Sequence, residues 1–369
     1  MLWLLILAYG IFALLLLRGI TRLPLRRERT DFRVTVIVSA HNEANRIQPL
    51  LDCLAKIDYP ADQWEVVIVD DRSTDDTARL VLKAAETNPR VRLMQVAACP
   101  PEVAPKKYAI LSAINATEGD IIVTTDADCR PGPGWLKSMV GAFRKDIGVV
   151  LGFSPIIGSP ENTKFLPGFQ WLDSLSLAAT AAGATGWRRG VTACGRNFAY
   201  RRQAYEQADG FGSTITLGSG DDDLLMHRIL GRLTWRIGYA QGERAAVPTA
   251  PAATWGELFQ ARIRHASKMR HYPLNVQALG LLLFLVNIAV ATSIVGVLLG
   301  YAGPSAVIFL AVKALLDFLI LRRASALLIP GPGLSWFPVA FALHPFYLIG
   351  VGLLGLREQY RWKDREFGA

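Results

Sequence analysis

Cysteine is scarce and unpatterned. The four cysteines, Cys53, Cys99, Cys129 and Cys194, contain no C-x-x-C pair, so neither a zinc site nor a disulfide framework is indicated. In a reducing compartment they read as plain thiols in or near the core. No G-x-G-x-x-G follows the first strand-like run, and the P-loop pattern G-x-x-x-x-G-K-[ST] is missing, which disfavours a dinucleotide fold and a nucleoside-triphosphate loop. Internal repeats and low-complexity segments are absent. The net charge is +9, yet no nucleic-acid motif accompanies it. The arginines that follow residue 17 and the run Arg262, Arg264, Lys268 and Arg270 suit an anionic lipid surface better than nucleic acid.

Charge is also sparse in two apolar regions of the 369-residue chain, one at its start and one between residues 274 and 356. Residues 1–17, MLWLLILAYGIFALLLL, carry none. As a helix this run reaches ~25 Å, enough to cross a bilayer. A secretory leader has its basic residues before the apolar run. Here Arg18, Arg22, Arg26, Arg27, Arg29 and Arg33 come after it, so the segment reads as an uncleaved anchor with its N-terminus outside and the next domain in the cytoplasm. Three further apolar stretches, 274–300, 304–321 and 334–356, are long enough to span. The expected organisation is an anchor over 1–17, a basic linker over 18–33, a catalytic domain over 34–254, an amphipathic helix over 255–272, a membrane bundle over 274–356 and a tail over 357–369. Lys313 and Asp317, one turn apart in the second C-terminal stretch, are expected to pair with each other, and His344-Pro345 marks a possible kink in the last one. The tail poses a conflict. Four crossings put Arg357, Arg361, Lys363 and Arg365 outside, where basic residues are disfavoured; a re-entrant last segment or a different span count would remove the conflict.

Between the ends, short apolar runs alternate with helix-like stretches. VTVIVS (34–39), EVVIVD (65–70), VRLMQV (91–96), IIVTT (121–125) and GVVLGF (148–153) are separated by helical patterns near 46–57, 75–86, 106–116 and 135–144. This is the signature of a mostly parallel, doubly wound α/β sheet. Such sheets bind ligands beyond the carboxyl ends of their strands. Ser39-Ala40-His41-Asn42-Glu43, Asp70-Asp71-Arg72-Ser73, and Asp126 with Asp128 all fall at those ends.

Asp126 and Asp128 lie two apart in extended chain and so face one way. Two such carboxylates repel unless a cation or donor sits between them. Mg²⁺ or Mn²⁺, hard ions that bring substrate phosphates along, would answer that need. Asp128 also suits the start of a turn into CRPGPGW, and on this pair alone the turn is the favoured reading.

Four blocks in order, VTVIVSAHNEANRIQPLLDCL, EVVIVDDRSTDDT, DIIVTTDADCRPGPGW and GSGDDDLLMHRIL, resemble the family 2 inverting glycosyltransferases of GT-A fold, over roughly residues 34 to 270. That resemblance implies a metal-dependent transfer of sugar from a nucleotide sugar, with a Rossmann-like cytoplasmic domain. By position, Ala40, His41 and Glu43 would line the nucleotide pocket, and Asp71 would contact base or ribose. Lys107 would stand near the donor phosphates, and Asp126 and Asp128 would hold Mg²⁺ or Mn²⁺, Asp128 the more directly. Gly195, Arg196 and Asn197 would edge the donor-sugar or acceptor pocket. Asp222 matches the catalytic base, with Asp221 where a glutamate is more usual. The same three aspartates would also cap the helix expected over 224–233.

The stretch WGELFQARIRHASKMR (255–270) gathers Trp255, Leu258, Phe259, Ile263, Ala266 and Met269 on one face, with Arg264 and Lys268 opposite. It reads as an interfacial helix with its charged face toward the protein. Processive members of the family carry Q-x-x-R-W here. This chain keeps Arg264, a candidate diphosphate contact, but has Ala261 and His265 in the glutamine and tryptophan places. The resemblance therefore implies a single transfer to a lipid or lipid-linked acceptor at the inner membrane, with UDP-sugar the favoured donor. A processive polysaccharide synthase is the alternative within the class, and a non-catalytic membrane scaffold the alternative outside it.

Overall fold

The apolar runs become one seven-stranded sheet. Its strands are β1 (Val34–Ala40), β2 (Trp64–Asp70), β3 (Val91–Gln95), β4 (Ile121–Asp126), β5 (Ile147–Gly152), β6 (Phe198–Arg201) and β7 (Arg236–Ala240), in the order 3-2-1-4-6-5-7. β6 alone runs against its two neighbours. The computed structural model describes residues 2–25, 27–158, 164–232, 234–329, 331–357, 359–362 and 365–367; Met1, Arg26, Leu233 and Lys363, which figure above, lie outside the described residues.

β1 is paired on both edges and covered on both faces. Val34, Val36 and Val38 pack into one layer with Leu50, Trp135 and Phe143, while Ile37 points the other way, toward Ala109, Ile110 and Leu225. That two-sided burial is why the strand carries apolar residues on both faces rather than alternating strictly, with Thr35 and Ser39 its polar members. The helices around the sheet are α2 (Gln48–Leu54), α3 (Thr77–Thr87), α4 (Pro105–Asn115), α5 (Trp135–Gly141), α6 (Phe165–Gly186), α7 (Arg202–Gln207) and α8 (Asp223–Arg232), and ahead of them in the chain α1 (Leu2–Thr21) packs on α6. The register pairs Ala40 with Asp70 and Ser39 with Asp126, so the loops after β1, β2 and β4 leave the sheet at one level. Those loops are where the chemistry-bearing residues sit.

The chain continues into α9 (Trp255–Ala266), α10 (Leu274–Leu298), α11 (Pro304–Leu328) and α12 (Phe337–Gly355), then a hairpin of β8 (Tyr360–Trp362) and β9 (Arg365–Phe367). Among the described residues four helices, α1, α10, α11 and α12, are long and apolar enough to cross a membrane. α1 lies against α6 at backbone contact: a Cβ on Gly19 would come within 2.0 Å of the Gly183 carbonyl oxygen. α1 is also tied to α11, because the Tyr9 hydroxyl donates to Asp317, which pairs with Lys313. The 18–33 segment is docked rather than free. Arg29 N–H donates to the Lys137 carbonyl at 3.2 Å, and Glu28 pairs with Arg244 at 2.6 Å.

α12 behaves differently from the other apolar helices. It runs alongside α9, with Tyr347 5.0 Å from Phe259 between ring centroids and Gly355 against Ala266. β8 packs on α9 as well. The tail therefore returns beside the amphipathic helix.

Candidate functional site

The loops after β1 and β2 are laced together. His41, buried, brings Nδ1 to 2.7 Å from the Asp71 carbonyl oxygen. Asn42, in the left-handed region at φ 51°, takes its amide to Ser73 Oγ at 2.9 Å and accepts from the Thr74 N–H at 2.9 Å. The Glu43 N–H donates to Thr77 Oγ1 at 2.8 Å. Asp71 is buried; its amide donates to the Ala40 carbonyl, and its carboxylate accepts from Arg72 at 2.8 Å. Ala40, His41, Glu43 and Asp71 thus share one wall.

The opposite wall is acidic. Asp126 ends β4 and, like Asp128, is partly exposed, whereas Ala127 between them is buried. Ala127 and Asp128 form a turn, closed by the Cys129 N–H to the Asp126 carbonyl at 3.2 Å, rather than the extended chain the spacing suggested, and Arg196 feels both carboxyls. Lys106 Nζ sits 3.0 Å from Asp126 Oδ1 and 3.0 Å from Asp221 Oδ2. One amine thereby joins the β4 turn to the aspartate triplet. Burial alone would lower the Lys106 amine; Asp126 and Asp221 outweigh it and raise it. Burial would likewise raise the Asp126 carboxyl, but Lys106, with Arg196 and Arg264 behind it, holds it below the usual carboxylate range. Arg196 also feels Asp128.

The sequence pointed to Lys107, and the structure puts its neighbour in the cleft. Lys107 is 1% exposed and donates Nζ to the Thr214 carbonyl, pinning the turn Gly212–Thr216. Burial lowers its amine to about 8. On α4 the two lysines point about 100° apart, and only the tertiary fold decides which one meets acid. Asn197 is turned inward too. It is fully buried, accepts from Trp135 Nε1 at 2.9 Å, and donates Nδ2 to the Phe153 and Ala245 carbonyls at 2.8 Å each. Arg196, half-buried, directs Nε to Ser154 Oγ at 3.0 Å.

Gly195 touches the triplet directly. Its N–H donates to Asp222 Oδ2 at 2.8 Å, and Thr124 Oγ1 at the end of β4 holds its carbonyl at 2.9 Å. A Cβ at this position would come 3.2 Å from Asp221 Oδ2 and 3.5 Å from Asp222 Oδ2. Asp222 and Asp223 also cap α8, accepting from the Asp223 N–H at 2.7 Å and the Leu224 N–H at 2.9 Å. Lys268, just past the end of α9 and not among the site residues expected, reaches Asp223 at 2.7 Å and Asp222 at 3.2 Å. The clue to it was the charged face of the amphipathic helix. Burial would raise the Asp222 carboxyl, but Lys268 and the Asp223 N–H hold it far below the ordinary range. Asp223, fully buried beside Asp222, is pushed up to about 7. His265 is half-buried; burial, Lys268 and Arg262 drive it down to about 3, so it is neutral in the physiological range. Arg264 acts on Asp126 from the same helix.

The donor set at Asp126 and Asp128 fits a hard divalent cation. Both are oxygen ligands, both are partly exposed, and among the described residues no third His, Cys, Asp or Glu completes a protein-only cage. An ion held this way takes its remaining ligands from phosphate and water, the habit of Mg²⁺ and Mn²⁺.

Residues 35–208 match the pattern of the family described as Glycosyl transferase family 2. The probable glycosyltransferase YdaM of Bacillus subtilis is 29% identical over 188 residues, which is 48% of this chain and 43% of that one. Beta-monoglucosyldiacylglycerol synthase of a Nostoc species is 30% identical over 188 residues, 50% of this chain and 39% of that one. The chain thus spans less than half the length of these relatives. Among solved structures, the mannosyltransferase PcManGT of Pyrobaculum calidifontis, in complex with GDP-Man and Mn²⁺, superposes with a TM-score of 0.61 at 22% identity, covering 99% of this chain and 100% of that one. At that identity the likeness is one of fold, the GT-A arrangement.

Proposed function

Residues 35–208 form a glycosyl transferase family 2 domain, and from that premise we propose that this protein moves a sugar, with inversion, from a nucleotide sugar to a lipid or lipid-linked acceptor at the cytoplasmic face of a membrane. The observation that carries the reading is Lys106, 3.0 Å from both Asp126 and Asp221. It gathers a phosphate-side acid pair and a proton-accepting acid triplet around one cleft. Four apolar helices among the described residues, and a relative named beta-monoglucosyldiacylglycerol synthase, support a membrane lipid as acceptor.

In this reading the nucleoside lies along Ala40, His41, Glu43 and Asp71. Lys106, Arg196 and Arg264 face the diphosphate. Asp126 and Asp128 would hold Mg²⁺ or Mn²⁺, which when bound neutralises charge on the leaving diphosphate. The acceptor hydroxyl attacks the anomeric carbon, the carbon–oxygen bond to phosphate breaks, and the nucleoside diphosphate leaves with the electron pair. Asp222 takes the hydroxyl proton. It is ionised across the physiological range. The hydroxyl acidifies as its oxygen bonds to carbon, so a weakly basic carboxylate accepts the proton late in the step. Asp221 and Gly195 flank this base, and neutral His265 lies toward the sugar or acceptor.

The test is incubation of membranes holding the protein with UDP- and GDP-sugars and Mn²⁺, followed by mass analysis of the lipids. The expected product is a lipid carrying one added sugar, absent when Asp128→Asn replaces the wild type. No sugar-bearing lipid from any donor would overturn the reading, and long polymer would replace it with processive synthesis.

A further inference from the structure

The acid triplet is held from the membrane side. Lys268 lies between α9 and α10, is 5% exposed, and pairs with Asp222 and Asp223. Four residues on, the Tyr272 hydroxyl donates to Asp223. Tyr272 and Val276, at the start of α10, pack with Leu224 of α8. The segment linking the amphipathic helix to the first C-terminal apolar helix therefore presses on the triplet with both a charge and an apolar seam.

The hydrogen bonds at Asp222 show what this contact does. Oδ1 accepts from the Asp223 N–H and from Lys268 Nζ, and Oδ2 accepts from the Gly195 N–H. A carboxylate offers about four acceptor directions. Three are filled, and the remaining one is on Oδ2, the oxygen beside Gly195 and Asp221. Without Lys268 the carboxylate would keep two backbone bonds, from the Asp223 N–H to Oδ1 and from the Gly195 N–H to Oδ2, and would lose its one side-chain tether.

We propose that Lys268 is a positioning residue for the transfer reaction, fixing the Asp222 carboxylate so that Oδ2 meets the acceptor hydroxyl, with Tyr272 holding Asp223 as the second half of the same clamp. The inference rests on the glycosyltransferase reading for its chemistry, but the clamp itself is a matter of structure.

The charged and titratable groups that face Asp222 are Asp221 and Asp223 from its own loop, Lys106 and Lys107 from α4, His265 and Lys268 from α9 and the turn after it, and Tyr272 just before α10. Removing Lys268 takes away the cation that most lowers Asp222. In Lys268→Met the acid limb of the kcat–pH profile should accordingly move to higher pH. The turnover number should fall ~10²-fold, within the range for a misplaced proton acceptor, while KM for the donor changes little. Lys268→Arg should restore most of the rate and the wild-type limb. Tyr272→Phe should lose a smaller factor.

Lys268→Met leaves two buried acids facing each other, and such a variant risks poor folding. The double variant Lys268→Met/Asp223→Asn removes one charge of each sign and keeps the balance. It should fold and still show the lowered turnover and shifted limb. A readout independent of activity is amide hydrogen exchange at Gly195, whose N–H is held by Asp222 Oδ2. Exchange should quicken at least tenfold in the double variant and stay slow in Lys268→Arg. Wild-type exchange at Gly195 in the double variant overturns the clamp, whether or not the protein proves to transfer sugar. Wild-type turnover and an unmoved acid limb in that variant do the same when transfer is seen. If wild type makes no sugar-bearing lipid while the exchange difference is present, the glycosyltransferase reading fails and the clamp stands.

Discussion

Two buried charge clusters invite comparison. One lies in the cleft, where Asp126, Asp221, Asp222 and Asp223 are met by Lys106 and Lys268. The other lies at the seam of α6, α9 and α12, where Asp173 is bound by Arg262 and by His344 Nε2 at 3.2 Å. The seam is balanced: a single carboxylate with a guanidinium and an imidazole, capped by the rings of Phe169 and Tyr347. Burial would raise Asp173, but Arg262 and His344 bring it down to about 2. The cleft is crowded with like charge: four acids meet Lys106 and Lys268 directly, with Arg196 and Arg264 acting on Asp126, and Asp223 beside Asp222 is still forced up to about 7. Perturbed carboxyls gathered in a cleft are the mark of a candidate functional site, whereas the seam reads as a structural tie.

The contrast can be broken most sharply at Asp222. Asp222→Asn should cut transfer ~10²–10⁴-fold while the protein still binds donor, as read by thermal stabilisation with nucleotide sugar. Transfer at the wild-type rate would show that this aspartate is not the base. Arg262→Ala should do the opposite. Stranding Asp173 in the seam should cost about 3–5 kcal/mol of stability, seen as a lowered melting temperature in detergent, with little change in donor KM for the protein that remains folded. If Arg262→Ala spared stability and abolished transfer, the division between the clusters would be wrong. Lys106→Met against Lys107→Met separates neighbours. The first should weaken donor binding tenfold or more, about 1.4 kcal/mol; the second should loosen the Gly212–Thr216 turn and leave donor binding near wild type. Asp173 sets a pH dependence. Its carboxyl is depressed when folded, so its contribution of about 2 kcal/mol is whole above the ordinary carboxylate range near pH 4 and is lost as pH falls through about 2. Asp173→Asn should flatten the acid side of the stability curve. The smallest effect is one of sidedness. With β8 packed on α9, a label at the C-terminus should be reached from the same side of the membrane as one in the catalytic domain, and labelling from opposite sides would contradict that packing.

Much of the sheet was legible because its strands are buried on both faces. VTVIVS, EVVIVD and IIVTT stand out as short, largely apolar, β-branched runs, and polar residues follow each of them at one edge of the sheet. β6 was harder. FAYR is four residues long and antiparallel, so it lacks the length that signals a strand, and it runs straight into α7 with no turn residues between. α6, with 22 residues, was missed because it is packed nearly all round and has no polar face to give it a period.

The amino-acid sequence by itself determined the order of the parts: apolar helix, α/β domain, amphipathic helix and apolar helices. It also determined that acids would end the strands and open a helix, since those features follow from composition and spacing along the chain. The tertiary structure alone decided that Lys106 rather than Lys107 bridges the acids, that Asn197 faces inward, that Lys268 reaches back to Asp222, and that the last helix lies beside α9. Each depends on which side of an element meets a partner distant in the chain. Local spacing fixes the faces of a helix relative to one another, but only packing fixes what stands opposite them.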